Sequence, residues 1–136
     1  MPYAMLATLS LGVLNLGKNS LSGPIDGTFP SSCGLNTLDL HRNSLEGKIP
    51  CSLVNCTMLR IFSLGNNRMS DTYPCHLGDN TNLRVLVLRA NIFHGSIHCG
   101  EGSPNNWPKL QILDLALNSF SGAVPEDYFE QWRGMM

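Results

Sequence analysis

The chain has 136 residues, a length that fits one domain. Its formal net charge is −1, so no excess of positive charge favours nucleic acid or an anionic membrane as a partner. No apolar run approaches the ~20 residues that cross a bilayer, and residues 1–10 lack the basic start and long apolar stretch of a signal peptide. The informative signal is therefore the pattern of residues, not the composition.

One eleven-residue pattern recurs along the chain, with apolar residues at its first, fourth, sixth and eleventh places and asparagine at its ninth. It is clearest at residues 59–69, LRIFSLGNNRM. This is the leucine-rich repeat signature, and it predicts a stacked array in which each copy contacts mainly its neighbours. Five leucines open the copies, at steps of 24, 24, 24 and 27 residues: Leu11, Leu35, Leu59, Leu83 and Leu110.

The copies divide the chain into one repeat domain over 1–136. Residues 1–10 are irregular and are interpreted as the remnant of an earlier coil. The fourth copy has three extra residues, which fall in the stretch His98–Pro108, and Trp107 within it is expected to cover the side of the array. The predicted repeats are 11–34, 35–58, 59–82, 83–109 and 110–132.

Each repeat opens with a short strand, because residues such as Leu38-Asp39-Leu40 alternate apolar and polar side chains. Its second half reads L-x-G-x-I/V-P, in which glycine permits a tight bend and proline ends the extended piece. We therefore predict an α/β leucine-rich repeat solenoid, a right-handed horseshoe. A parallel β-sheet forms its concave face, and short extended pieces and 3₁₀ turns, with few true helices, form its convex face.

The ninth-place asparagines are interpreted as structural residues. An inward asparagine side chain donates to and accepts from the backbone of its own turn and of the neighbouring coil, so we expect a ladder and not a catalytic group. The predicted ladder is Asn19, Asn43, Asn67, Asn91 and Asn118.

Five cysteines are spaced for contact between coils. Cys51, Cys75 and Cys99 each lie sixteen residues after the first leucine of their repeat, while Cys33 and Cys56 lie 22 and 21 residues after theirs. Coils about 4.8 Å apart fall within the ~4.4–6.8 Å Cα separation of a disulfide. We predict one or two disulfides, as expected in an oxidising compartment, with buried free thiols as the alternative. The odd number leaves at least one cysteine unpaired within the chain.

The L-x-G-x-I-P half of the repeat is found at 21–25, 45–50 and 120–125 as LSGPI, LEGKIP and FSGAVP. With these motifs, and with SLVNCT at 52–57, the chain resembles the extracellular part of plant cell-surface leucine-rich repeat receptor-like proteins, a group that contains many disease-resistance receptors. The resemblance covers roughly residues 11–136.

The resemblance implies an internal fragment of the ectodomain of a single-pass plasma-membrane receptor. Such a receptor binds a peptide, protein or glycan outside the cell and signals through a co-receptor kinase, without nucleic acid or a cofactor. Three residues depart from the family pattern: Asp71 replaces a glycine, His98 replaces a proline, and Tyr128 stands where related sequences often have cysteine. These departures put the regularity of the convex side in question, but not the fold.

Side chains between the strand leucines should point to solvent on the concave face, the usual binding surface of a solenoid. Several are charged, and Val85, Val87 and Ile112 form an apolar strip. Ordinary exposed strand surface is the alternative interpretation for any one of them. The predicted ligand-binding set is Asn15, Lys18, Asp39, His41, Arg42, Ser63, Asn66, Val85, Val87, Arg89 and Asp114.

Asn55-Cys56-Thr57 is the one N-x-S/T sequon of the chain and predicts a glycan on Asn55. No motif pairs a histidine with a serine or cysteine nucleophile, so we predict no enzyme and no catalytic residue. A zinc site is conceivable on paper, but its spacing fits no standard zinc finger, and we predict no metal. Its ligands would be Cys51, Cys56, Cys75 and His76.

Three functions are consistent with these features. The first is a ligand-recognition module of a cell-surface receptor serving defence or development. The second is a secreted inhibitor of a pathogen enzyme that degrades cell walls, as some plant leucine-rich repeat proteins are. The third is a truncated gene product without activity of its own. A transmembrane segment encoded downstream would favour the first function over the second.

Overall fold

The computed structural model describes residues 12–25, 29–97, 99 and 107–121. Five short strands, one for each repeat, form a parallel sheet in the order β1-β3-β5-β7-β9. The predicted remnant coil over 1–10 and the part of the fifth repeat beyond residue 121 lie outside the described residues. The strands are β1 Val13–Asn15, β3 Thr37–Asp39, β5 Ile61–Ser63, β7 Val85–Val87 and β9 Ile112–Asp114.

The register of this sheet places equivalent residues of all five repeats side by side. Leu14 pairs with Leu38, Leu38 with Phe62, Phe62 with Leu86 and Leu86 with Leu113. Two 3₁₀ helices, at Cys51–Asn55 and Cys75–Asp79, follow Pro50 and Pro74, and the described part of the chain contains no α-helix. The predicted leucine-rich repeat solenoid is confirmed.

The interior is filled by the residues that the repeat pattern marks as apolar. Burial of each such side chain stabilises the folded state by about 1.5–3 kcal/mol, so the stacked coils stabilise one another through their shared apolar interior. The side chains with no exposed surface include Phe29, Leu35, Leu40, Leu45, Leu53, Leu59, Phe62, Leu64, Leu83 and Leu86. Trp107 is also fully buried, and its Nε1 donates to the carbonyl of Leu77 at 2.8 Å. The side chain predicted to cover the side of the array therefore packs into its buried core.

The extended pieces of the second half-repeats pair with one another, which the sequence analysis did not predict. They form two further parallel sheets, one of three strands in the order β2-β4-β6 and one of two, β8 and β10. Their pairing runs two residues short of the repeat length, so that Ser22 lies opposite Ser44. The strands are β2 Ser22–Pro24, β4 Ser44–Gly47, β6 Arg68–Met69, β8 His94–Ser96 and β10 Ser119–Ser121.

The interruption between these two sheets falls where Asp71 replaces the glycine of the motif. Gly23, Gly47 and Gly95 have φ angles of +78°, +84° and +81°, a left-handed conformation that glycine adopts without steric cost. Asp71 keeps a negative φ, and its carboxylate instead accepts the backbone N–H of Ile49 at 3.1 Å. Among the described residues, no regular strand pairing is formed between the third and fourth coils here, but the N–H of Ile92 still donates to the carbonyl of Met69 at 2.8 Å and that of His94 to the carbonyl of Asp71 at 3.0 Å.

The asparagines at the ninth places connect each turn to the coil before it. The Nδ2 of Asn67 donates to the carbonyls of Leu40 at 2.9 Å and Leu64 at 3.0 Å, and its Oδ1 accepts the N–H of Leu45 at 3.0 Å. Asn43, Asn91 and Asn118 make the same three kinds of hydrogen bond. Asn19 is exposed and donates within its own coil.

Two disulfides join neighbouring coils. Cys33 bonds Cys56 with a Cα–Cα distance of 4.9 Å, and Cys75 bonds Cys99 with a Cα–Cα distance of 5.4 Å. Cys51 is the free cysteine, and it is exposed, unlike the buried free thiols of the alternative interpretation. Because Cys56 and Cys75 are oxidised, the zinc site considered from the sequence would lack two of its thiolates.

His76 is half-buried and lies within the second 3₁₀ helix, Cys75–Asp79. Its Nε2 is buried and has no hydrogen-bond partner among the described residues. Burial lowers the pKa of His76 below its ordinary value of 6.5, while the Asp71 carboxylate and the Pro50 carbonyl oppose this shift without reversing it. The fold therefore favours the neutral imidazole.

We expect Asn67→Ala to lower the free energy of unfolding by about 1–3 kcal/mol, because backbone groups on two coils lose their partner inside the array. Chemical denaturation followed by circular dichroism measures this. Asn19→Ala is the matched control and should cost less, since its side chain is exposed. Equal effects of the two substitutions would contradict a ladder that connects the coils.

We expect Cys33→Ala combined with Cys56→Ala to destabilise the fold by about 3 kcal/mol, the entropic effect of opening a loop of about two dozen residues. Cys51→Ala should change the free energy of unfolding by less than about 0.5 kcal/mol, because the residue is exposed and unbonded. Denaturant melts of the three proteins test both statements. An effect of Cys51→Ala as large as that of the double substitution would refute this assignment.

The lowered pKa of His76 predicts a loss of stability in acid. Between the lowered native pKa and 6.5 the unfolded chain binds the proton more readily, so stability rises with pH and is lost as pH falls. We expect His76→Gln to reduce the drop in melting temperature between about pH 7.5 and about pH 5. His94→Gln, at an exposed histidine, should retain the wild-type dependence. A His76→Gln protein with an unchanged pH dependence would show that this prediction was wrong.

Candidate functional site

The concave sheet exposes a column of mostly apolar side chains at the third place of each repeat. Thr37 is its one polar member, and the register pairs Val13, Thr37, Ile61, Val85 and Ile112 in sequence across the five strands. Val13 is 58% exposed, Ile61 38% and Ile112 53%. We call these five residues the apolar stripe. Val85 is in the ligand-binding set predicted from the sequence, whereas Val13 and Ile61 are not, although a β-branched residue at the same place in all five repeats was the available signal.

The fifth place of the repeats carries polar side chains that bond to their own turns. Side-chain oxygens of Asn15, Asp39 and Asp114 accept the backbone N–H two residues further on, at 3.0, 3.1 and 3.1 Å. These are Asx turns, which end the strand and hold the side chain against the backbone. Ser63 and Val87 occupy the same place on β5 and β7. The predicted candidates Asn15, Asp39 and Asp114 therefore serve the fold as well as the surface.

Two candidate side chains of the seventh place have carboxylate partners. The Nδ1 of His41 lies 2.6 Å from the Oδ1 of Asp39, and the Nη1 of Arg89 lies 3.7 Å from the Oδ1 of Asp114. A Cβ built on Gly17 would lie 2.4 Å from the Cε1 of His41, so the imidazole ring occupies the space that this glycine leaves open. A ligand that recruits His41 or Arg89 must therefore compete with an existing partner.

Three other candidates lie beyond the strands. Lys18, Arg42 and Asn66 have φ angles of +57°, +54° and +58°, and the equivalent residues Ala90 and Leu117 share this left-handed conformation. The prediction that these residues are strand positions of the concave sheet was wrong, because they form the turn that precedes each ladder asparagine. They remain at the rim of the concave face, where Lys18, Arg42 and Asn66 are exposed.

Basic residues border the opposite end of the strands. A depression of about 350 Å³ lies beside Arg60, Arg84 and the apolar stripe, and Asn36 and Gln111 line its two ends. These residues occupy the second place of their repeats and were not among the predicted candidates. Arginine at the same place in two successive repeats was the signal in the sequence that could have identified them.

The Nδ2 of Asn55 donates to the carbonyl of Phe29 at 2.8 Å, and the side chain is partly buried. One amide hydrogen is thus engaged, and a glycan would replace the other. Glycosylation of Asn55 stays a prediction.

Within the residues that the structure describes, no three His, Cys, Asp or Glu side chains are grouped to hold a metal ion. No helix of this part of the chain is long and apolar enough to cross a membrane.

Comparisons with known proteins agree with the repeat pattern. The family model "Leucine Rich Repeat" matches residues 34–56. Receptor-like protein 7 of Arabidopsis thaliana is 44% identical over 43 residues, which are 32% of this chain and 4% of that protein. The chain therefore spans a small part of the length of this curated relative.

Solved plant receptors share the fold. The plant peptide hormone receptor RGFR1, in complex with RGF2, is 31% identical with a TM-score of 0.79, over 92% of this chain and 19% of that one. The Arabidopsis receptor kinase HAESA, in complex with the peptide hormone IDA and the co-receptor SERK1, is 30% identical with a TM-score of 0.74, over 89% and 20%. The resemblance inferred from the sequence is confirmed: the chain is a leucine-rich repeat array of the kind found in plant receptor-like proteins.

Proposed function

We propose that the chain is a ligand-recognition module of a plant cell-surface receptor and that its concave sheet binds an extracellular peptide. The observation that carries the proposal is the apolar stripe, since exposed apolar side chains gathered in one contiguous column mark interaction surfaces. Three of its members are between 38% and 58% exposed although they lie on a regular sheet. Polar side chains flank them, as in a binding surface that needs both contact area and hydrogen bonds.

Location and partners follow from the same proposal. Two disulfides suit the oxidising environment outside the cell, where the ectodomain of a plasma-membrane receptor is found. Peptide hormones are bound in the RGFR1 and HAESA complexes, and HAESA is joined there by a co-receptor. By analogy we propose a peptide ligand and a co-receptor kinase for the full-length receptor, and a recognition role instead of a catalytic one.

We expect Ile112→Asp to weaken peptide binding at least about tenfold, because a charge in the stripe must lose its water when an apolar ligand side chain covers it. Peptides are first selected from a synthetic random library on the 136-residue chain, and their affinities are then measured by fluorescence anisotropy.

Ile92→Asp is the matched control. Ile92 is 53% exposed, as Ile112 is, but it lies outside the concave sheet, and its backbone N–H bonds to the carbonyl of Met69. The control should retain its affinity within about twofold, as expected for an exposed residue outside the contact. Selected peptides that bind both variants equally, or a library without binders, would count against the concave sheet as the recognition surface.

A further inference from the structure

The residue at the second place of each repeat lies immediately before the strand, and the backbone hydrogen bonding of the concave sheet extends to it. The N–H of Arg60 donates to the carbonyl of Asn36 at 2.8 Å, that of Arg84 to Arg60 at 2.7 Å and that of Gln111 to Arg84 at 2.8 Å. Their side chains therefore leave from neighbouring rungs, about 4.8 Å apart. Two arginines in succession thus form a short row at the edge of the binding surface.

A third cation stands in the adjacent column. Lys109 lines a depression of about 230 Å³ together with Arg60, Arg84, Met58 and Asn82. The Nζ of Lys109 donates to the Oδ1 of Asn82 at 3.0 Å, and the Nδ2 of Asn82 donates to the carbonyl of Thr57 at 2.9 Å. The asparagine thus positions the ammonium group beside the two arginines. We call Arg60, Arg84 and Lys109 the basic edge.

Within the residues that the structure describes, the basic edge is not paired with a carboxylate, in contrast to the two charged pairs of the concave face. In the described part of the chain, no carboxylate lies within 4.0 Å of its side-chain nitrogens, whereas His41 and Arg89 have Asp39 and Asp114 as partners. The whole chain carries a formal charge of −1, so three neighbouring cations are a local excess. Guanidinium groups bind carboxylates with two parallel hydrogen bonds, which makes this edge suited to acidic side chains.

We propose that the basic edge binds an acidic segment, with aspartate or glutamate side chains, of the peptide that occupies the apolar stripe. The inference rests on the proposed function and adds the charge of one part of the ligand. A peptide fits better than an acidic polysaccharide, because the cations lie next to apolar surface. Met58 is 57% exposed beside the basic edge, and Ile61 of the stripe is 38% exposed and lines the same depression as both arginines.

The test uses fluorescein-labelled hexaglutamate, hexaglutamine and polygalacturonate as probes of the 136-residue chain at low salt. We expect hexaglutamate to bind better than hexaglutamine, with an affinity that falls as sodium chloride screens the charges. Arg60→Gln combined with Arg84→Gln should weaken hexaglutamate binding by about five- to tenfold, the effect of losing two exposed ion pairs.

Arg68→Gln combined with Lys48→Gln is the matched control, because it removes the same charge from exposed residues outside the concave face. It should change the affinity by less than about twofold, since distant exposed charges are screened by salt. Thermal melts of both double variants establish that they are folded.

Equal losses in the two double variants, or hexaglutamate binding no better than hexaglutamine, would overturn the proposal. Polygalacturonate binding that depends on Arg60 and Arg84, without binding of hexaglutamate, would overturn it in favour of a glycan. Failure of the basic edge is distinguishable from failure of the proposed function. In the first case hexaglutamate does not bind but selected peptides still depend on Ile112, and in the second that dependence is absent.

Discussion

The whole array depends on the hydrogen bonds of the ninth-place asparagines. One amide side chain satisfies backbone groups of two successive coils, and so it fixes both the distance and the register between them. The residue before each asparagine adopts a left-handed conformation although none of the five is glycine. Such a conformation costs free energy for most side chains. Its recurrence in all five repeats, including the first, where Asn19 is exposed, indicates that the hydrogen bonds of the turn and the packing of the apolar side chains outweigh this cost.

Because the register between successive coils is fixed, residues at equivalent places of the repeats lie side by side in columns on the surface. Cysteines 23 and 24 residues apart meet as disulfides, valine and isoleucine residues at the third place form the apolar stripe, and cations near the start of the strands form the basic edge. None of these features requires a local motif of its own. Each needs only that two or three successive repeats carry related residues at equivalent places. Such a pattern is weak in the sequence of one repeat and becomes clear when the stacked repeats are compared.

The strands and asparagine contacts could be predicted from the repeat pattern, whereas the conformation of the turns and the exceptions to the repeat could not. Strand positions and asparagine contacts follow from the apolar pattern. No particular residue type marks the left-handed turn at Lys18, Arg42 and Asn66 in the sequence, because the neighbouring asparagine imposes its conformation. Trp107 follows the insertion of the 27-residue repeat, and counting from the preceding leucine does not show that it enters the core. To predict that the three-stranded sheet ends at Met69, one would need to know that the glycine replaced by Asp71 has a positive φ in the other repeats.

The availability of a side chain for binding depends on whether the fold already uses it. The Asp39 carboxylate accepts hydrogen bonds from its own turn and contacts His41, so a ligand gains only the difference between new and existing contacts. Among the described residues, the valine and isoleucine side chains of the apolar stripe have no polar group to satisfy, and the two arginines of the basic edge have no carboxylate partner. The repeat leaves their places unconstrained, because it requires only the leucine-like and asparagine positions. Residues that the fold does not need can vary without loss of stability, and we infer that specificity lies there and not in the charged pairs that a reading of the sequence selects first.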